Sequence, residues 1–214
     1  MIFRLAHVLA LALMLSVFAF APVPARAQAH KFKLGGGAGF AVLENPEVDH
    51  GRTATVGGFF GLRFSDNLSL EGGFSFARSN REFNENGEPI DQVQGIPAFR
   101  FETNRYHLDG SFVFHLGRRQ PFHAFLLAGG GVVRRDEKRT DIFFTFDPVT
   151  NQILDRTEEV ILDTKEYEPT GHFGGGFDLY FLYNLAARVE FRQWLPQTTE
   201  KRTRMFFFAA TYFF

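Results

Sequence analysis

The sequence predicts an all-β fold, an eight-stranded antiparallel transmembrane up-and-down β-barrel that follows a cleaved signal peptide. Three observations carry that prediction. The N-terminus is an apolar segment ending in a cleavage signature, eight alternating stretches are joined by connections of alternating length, and the C-terminus is a strand with aromatic residues along one face.

The leader comes first. Arg4 supplies a positive start, Val8 to Ala21 is apolar, and Ala25-Arg26-Ala27 is a small-x-small cleavage site. The expected division is therefore a signal peptide at 1–27 and a barrel domain at 28–214. As a membrane anchor the apolar run is short against the roughly 20 residues a helix needs to span a bilayer. Pro22 and Pro24 also interrupt it. The chain has no cysteine, which excludes a lipid-modified N-terminal Cys, disulfides and thiolate chemistry.

Composition narrows the class further. Removing Arg4 and Arg26 from 23 basic residues leaves 21 against 24 acidic ones, a formal charge of −3. A strongly basic nucleic-acid binder is excluded. Against a single tryptophan stand 29 phenylalanines and 21 glycines. Phenylalanine at that density crowds a small soluble core but suits a surface facing lipid.

Alternation places the strands at 31–43, 52–64, 68–78, 104–116, 122–134, 170–181, 185–195 and 203–214. The connections Ser65-Asp66-Asn67, Gly117 to Pro121 and Leu182 to Asn184 are tight. Those at 44–51, 79–103, 135–169 and 196–202 are longer. Short periplasmic turns and long outer loops give this rhythm, with both termini on the periplasmic side.

Each strand has two faces. Tyr106, Leu108, Gly110, Phe112 and Phe114 oppose His107, Asp109, Ser111 and His115; Leu185, Ala187, Val189 and Phe191 oppose Arg188, Glu190 and Arg192. A soluble sandwich or lipocalin has the same period with the apolar face inside. The end of the chain favours the membrane. Phe206, Phe208, Ala210, Tyr212 and Phe214 share a face, and an exposed aromatic strand would make a soluble protein aggregate. This ending resembles the terminal strand of outer membrane β-barrel proteins, and the whole chain after the leader resembles the small OmpA/OmpX-type barrels. The resemblance implies the outer membrane of a Gram-negative bacterium, in contact with lipid and lipopolysaccharide. It also implies recognition of Phe206, Phe208, Tyr212 and Phe214 by the barrel-assembly machinery, with periplasmic chaperones on the way. A monomer without an appended peptidoglycan-binding domain is expected.

Eight strands enclose a lumen that side chains can fill. The inward set contains Glu71, Asp109, Asp178 and Glu190 with Lys33, Arg63, Arg188 and Arg192 to balance them. A salt-bridge plug is the first reading, since buried charges are costly unless paired. A gated narrow pore is the second. Gly35, Gly37 and Gly39, and Gly129 and Gly131, fit close packing or curvature; no helix follows them as a phosphate loop requires. His107, Asp109 and Ser111 offer the parts of a nucleophilic triad, but steps of about 7 Å along a strand put them beyond mutual reach. His115 and His123 flank a turn and lack a third metal ligand. No cofactor and no enzymatic activity are expected. Lipid A modification, known in some eight-stranded barrels, is kept as the third reading.

The loops are acidic. Segment 136–168 holds ten acids against four bases. Basic residues gather at the strand tops: Arg78, Arg105, Arg134, Arg135, Lys138, Arg139, Lys201, Arg202 and Arg204. A collar of this kind suits lipopolysaccharide phosphates, and ordinary solvated charge explains it equally well. Ile142 to Phe146, the turn-prone Asp147-Pro148, and the return through Ile153-Leu154 and Val160-Ile161-Leu162 predict a hairpin continuing strands five and six outward. Its edge offers either a pairing surface or a plain structural extension. The expected function is a non-enzymatic structural or surface-interaction barrel.

Overall fold

The computed structural model describes residues 31–44, 51–65, 67–90, 97–116, 122–147, 150, 152–182, 184–197 and 202–214. The predicted signal peptide and Lys201 lie outside the described residues. The strands are β1 (Phe32–Leu43), β2 (Arg52–Arg63), β3 (Leu68–Phe83), β4 (Phe99–Leu116), β5 (Phe122–Phe146), β6 (Ile153–Leu182), β7 (Leu185–Pro196) and β8 (Thr203–Phe213). Each pairs antiparallel with its neighbour in sequence, and β8 returns to β1 to close the ring. Closure pairs every strand on both sides, which is what a lipid environment demands of backbone polar groups.

The faces are arranged as in a membrane barrel. Outside lie Leu108, Phe112, Phe114 and Leu116 of β4 and Phe206, Phe208 and Tyr212 of β8, all exposed together with Phe214. Inside lie Lys33, Glu71, His107, Asp109, Asp178, Arg188, Glu190 and Arg192, all buried. Charge inside and phenylalanine outside excludes the soluble alternative. From Tyr106 to Leu116, β4 rises about 33 Å, or about 24 Å along the membrane normal at a tilt near 45°. That matches the height of an apolar band and puts the row Phe76, Tyr106, Arg134 and Tyr167, in register across β3 to β6, at the outer interface.

Above that row the structure departs from the expected boundaries. β3 runs on to Phe83, β4 starts at Phe99, β5 reaches Phe146 and β6 starts at Ile153. Much of what reads as loop is therefore a four-stranded sheet projecting from one side of the barrel. Its hydrogen-bonded ladder continues with register shifts beside Arg139 and Thr145, and its apolar Phe83, Phe99 and Phe101 are buried on the face that continues the lumen, so the polarity that marks a membrane strand is reversed there. The predicted β5–β6 hairpin is present, with a register shift between Arg139 and Thr140, and β3 and β4 join it. The β3 end turns back through Gly87, at φ 77°, while the Asn84 carboxamide accepts from the N–H groups of Asn86 and Glu88.

Two glycine environments differ sharply. A Cβ on Gly129, facing the lumen, would lie 1.9 Å from the Gly110 carbonyl oxygen, and one on Gly37 would lie 1.9 Å from that of Phe208. The tight curvature of a small barrel presses these backbones together, as the glycine runs suggested. Gly110 faces outward, and a Cβ there would meet nothing within 4 Å. We predict that Gly129→Ala lowers stability by about 1–3 kcal/mol, the usual range for overpacking, whereas Gly110→Ala is near neutral. The temperature at which each purified barrel loses its compact mobility on unboiled SDS gels distinguishes them; equal midpoints would contradict the curvature argument.

Candidate functional site

The lumen is built around one guanidinium. Arg188, central in β7, points inward because its even-numbered face is the luminal one. Its Nε donates to Asp178 Oδ1 at 2.8 Å and its Nη2 to Asp178 Oδ2 at 3.1 Å. Nη1 reaches Glu71 Oε2 at 2.9 Å and Glu190 Oε2 at 3.5 Å. Its plane lies between two rings, 4.4 Å from the centroid of Phe59 and 4.4 Å from that of Phe125. The planar cation thus spends its edge on carboxylates and its faces on aromatic rings, which a lysine ammonium would not match.

The network spreads from there. Lys33 pairs with Glu71. Arg192 bonds Glu190 at 2.8 Å and Asp109 at 2.5 Å, and lies 5.4 Å from the Trp194 centroid. Seven of the eight residues expected in the plug are therefore joined. Arg63 is the exception. At the end of β2 it is half-buried at the periplasmic mouth beside Lys33, Ser69 and His115, without an ion pair among the described residues. Water at the mouth can solvate a charge there. The voids are small: about 20 Å³ beside Phe59, Asp109 and Arg192, and about 10 Å³ at the mouth. Each holds about one water.

The histidines are part of this packing. Ser111 Oγ lies 2.7 Å from Nε2 of His172 on β6 and 3.4 Å from Asp109 Oδ1. The second distance is shorter than backbone spacing along one strand suggested, because the side chains lean toward each other. Asp109 is 3.8 Å from the same Nε2 that Ser111 approaches. It therefore does not orient the imidazole from its far nitrogen, as a nucleophilic relay requires. His107 packs at a tilt against Trp194 at 4.5 Å, His115 meets Ser69 at 3.0 Å, and His123 lies against Tyr180 at 4.9 Å. No group of three or more metal-ligating side chains gathers among the described residues.

The collar is thinner than the sequence suggests. Arg105 and Arg135 are buried inside the barrel. Arg105 reaches across the outer mouth to the carbonyls of Glu44 at 2.9 Å and Arg202 at 3.0 Å and to Thr203 Oγ1 at 2.7 Å. Arg135 pairs with Glu168 and, at 3.5 Å, with Glu166. Both sit on the luminal phase of their strands, so nearness to the strand top did not mean exposure to lipid. Arg139 lies 4.3 Å from the Phe99 centroid and bonds Asp141 at 2.9 Å, on the sheet face that continues the lumen. Arg204 pairs with Glu44 at 2.8 Å, and Arg202 is exposed.

Besides Arg204 on β8 and the exposed Arg202, outward cations stand on β3, β5 and β6. Arg134 lies 5.4 Å from the Tyr106 centroid and 5.7 Å from that of Tyr167, and pairs with Asp136 at 2.8 Å. In register with Asp136 is Lys165, with Arg78 two strands away. Lys138 follows one outward position higher on β5. Lys165 and Tyr167 were not singled out from the sequence, and Tyr106 was read only as part of the apolar face of its strand. Only the cross-strand register brings them to Arg134.

A ring of ion pairs stiffens the projecting sheet. Arg100 bonds Glu82 at 2.8 Å and Glu158 at 3.1 Å, while Arg156 bonds Glu82 at 2.9 Å and Glu158 at 2.8 Å. These residues come from β3, β4 and β6, so the ring crosses over β5. On the other face Phe83, Phe99 and Phe101 form a buried cluster.

A sequence model of the family described as outer membrane protein beta-barrel domain matches residues 8–214. No match is found among curated protein sequences. Solved structures share the fold at low identity. A major outer membrane protein from Thermus thermophilus is 14% identical with a TM-score of 0.55, over 87% of this chain and 100% of its own. Ail, the attachment invasion locus protein of Yersinia pestis, in complex with the heparin analogue sucrose octasulfate, is 10% identical with a TM-score of 0.53, over 86% and 99%. Neisserial surface protein A is 11% identical with a TM-score of 0.53, over 86% and 97%.

Two expectations follow. Arg188→Met leaves Asp178 and Glu71 buried without their principal partner, and should cost about 3–5 kcal/mol by heat or denaturant unfolding; an unchanged midpoint would remove the network from its central role. In the projecting sheet, hydrogen bonding by Arg100 holds the Glu82 carboxyl below its ordinary pKa. A lowered folded pKa stabilises above the unfolded value of about 4.3 and ceases to do so as pH falls through the folded one. Amide protection in the β3–β4 extension should therefore fall on acidification through that window, and Glu82→Gln should flatten the response.

Proposed function

The chain belongs to the outer membrane protein β-barrel domain family and resides in the outer membrane of Gram-negative bacteria, and from that premise we propose that it is a non-enzymatic, non-conducting surface-interaction barrel. The observation that carries the reading is the contrast between its two ends of charge. The lumen is filled by paired side chains around Arg188, while four strands continue past the apolar band as an ordered, ion-paired sheet. Such a sheet has no structural duty inside the membrane. It presents a fixed surface to the outside, held by a plugged barrel that serves as its base.

The lipopolysaccharide contact belongs to this reading in a reduced form. Arg134 faces outward within the Tyr106–Tyr167 row, and Arg78, Lys138 and Lys165 face outward above it, where lipid phosphates lie. Arg134, set between two tyrosines, gives its Nε–Nη2 edge to Asp136 and leaves Nη1 to donate to a phosphate. Arg105, Arg135 and Arg139 are left out of it. The barrel works as a monomer, leaves the periplasm after its leader at 1–27 is removed, and enters the membrane by recognition of Phe206, Phe208, Tyr212 and Phe214.

The combined variant Arg78→Gln, Arg134→Gln and Lys138→Gln should weaken lipopolysaccharide binding by purified barrel about tenfold, a change equivalent to about 1.4 kcal/mol, with its SDS-gel shift retained. Arg135→Gln should instead lower stability and spare lipopolysaccharide binding. Planar bilayers containing the wild-type barrel should stay silent; discrete conductance steps would favour the narrow pore and overturn the plugged-base reading.

A further inference from the structure

We propose that the periplasmic mouth of the barrel is a binding site for a phosphate group, received by Arg63 and by buried donors on β5 and β6. The site lies at the end opposite the projecting sheet and stands independently of the surface-interaction reading. Arg63 ends β2 on the luminal phase, and its N–H donates to the Lys31 carbonyl at 2.7 Å, so both cations stand at the rim. Lys31 is exposed and Arg63 half-buried, and neither has an ion pair among the described residues. The nearest luminal acids are committed elsewhere. Asp178 gives both oxygens to Arg188, at 2.8 and 3.1 Å, and Glu71 serves Arg188 and Lys33. In sequence, the turns at this end add Arg118 and Arg119 against Asp66, so the balance is basic.

Polar groups with no partner in the protein gather around these cations. The Arg63 charge is close enough to act on His115 of β4, His123 of β5 and Tyr180 of β6. These three side chains are only 3%, 7% and 2% exposed. The Tyr180 hydroxyl, Nδ1 of His115 and both ring nitrogens of His123 nevertheless meet no hydrogen-bond partner. Their rings are held in place by packing. His115 Nε2 lies 3.0 Å from Ser69 Oγ, and Tyr180 packs against His123 at 4.9 Å and Phe213 at 5.0 Å. A buried polar atom without a partner is costly, and a ligand bearing several oxygens would satisfy Arg63 and these groups together.

The donors select a phosphate. Arg63 offers a fork that matches a phosphate edge, while Lys31, the Tyr180 hydroxyl and an imidazole N–H come from other strands. A tetrahedral oxyanion has an oxygen for each direction, whereas a carboxylate has acceptors in one plane only. A void of about 10 Å³ beside Lys33, Arg63 and His115 has room for about one oxygen, with the rest of the group at the rim. The height agrees as well. Phe32 stacks on Phe60 at 6.0 Å and on Phe214 at 5.9 Å, and these exposed rings mark the lower edge of the apolar band. Phosphates of the periplasmic leaflet lie at that level, so a lipid headgroup and a free phosphate both supply the chemistry.

The test uses the isotope-labelled mature barrel in dodecyl maltoside, a detergent that carries no phosphate. Side-chain NMR signals of Arg63, His115 and His123 are followed during titration with inorganic phosphate, with dihexanoylphosphatidylglycerol, or with sodium chloride at matched ionic strength. A phosphate probe should shift these signals saturably, and chloride should not. Tighter binding of the lipid assigns the site to the periplasmic leaflet, and tighter binding of inorganic phosphate assigns it to a solute. Read at the two histidines, Arg63→Gln should weaken binding about tenfold, the loss of a charge-assisted bidentate contact. Tyr180→Phe, which keeps the ring packing, should weaken it about threefold, the loss of one hydrogen bond. Both variants should retain the mobility difference between unboiled and boiled SDS gels. Shifts that chloride reproduces would overturn the proposal, as would no saturable shift with either phosphate probe. Unchanged affinity in folded Arg63→Gln would overturn it too, by leaving Arg63 a merely solvated charge.

Discussion

A ring of eight strands is too narrow for an open channel and too wide for its backbones to touch, so its lumen must be packed with side chains. Here that packing converges on Arg188, which joins carboxylates from β3, β6 and β7 while lying between phenylalanines of β2 and β5. Few other side chains could span that space. The guanidinium has enough donors to serve three acids and flat faces to meet two rings. Charges in a closed barrel are tolerable because they are paired with one another. The apolar residues that a soluble protein would have used inside are thereby free for the lipid face.

That inversion determines where function can reside. With the lumen packed around Arg188 and voids of about 20 and 10 Å³ beside Phe59 and at the mouth, the function proposed for the barrel is placed at its outer end. Arg105 and the Arg135–Glu168 pair extend the packed interior to the outer mouth. Beyond them the sheet of β3 to β6 stands on the barrel without a change of strand direction or pairing. Its stiffness comes from one ladder, the Phe83–Phe99–Phe101 cluster on one face and the four-residue ion ring on the other. Surface ion pairs contribute little singly, but a closed ring restrains all four side chains together.

The basic residues show how proximity in sequence misleads. Arg134 and Arg135 are adjacent, yet one sits among tyrosines at the membrane surface and the other among glutamates inside the barrel. Strand phase decided this, and it was readable from His107 and Asp109 for β4. Phase did not reveal Arg139, because the register shift beside it accompanies a sheet whose two faces are no longer lipid and lumen. Nor did it give the His172–Ser111 contact, which links β4 and β6 across β5.

The sequence by itself determined the barrel: eight strands, the luminal and lipid faces, the identity of most plug residues and the outward aromatics of the last strand. It could do so because, within the membrane, each residue faces either lipid or lumen, and that choice is written in alternating polarity. Only the tertiary structure decided how the charges pair, which cations reach the outside, and how far β3 to β6 project. Pairing depends on register between strands distant in sequence, and above the bilayer the apolar Phe83, Phe99 and Phe101 lie on the luminal phase, so the polarity contrast that marks phase within the membrane no longer applies.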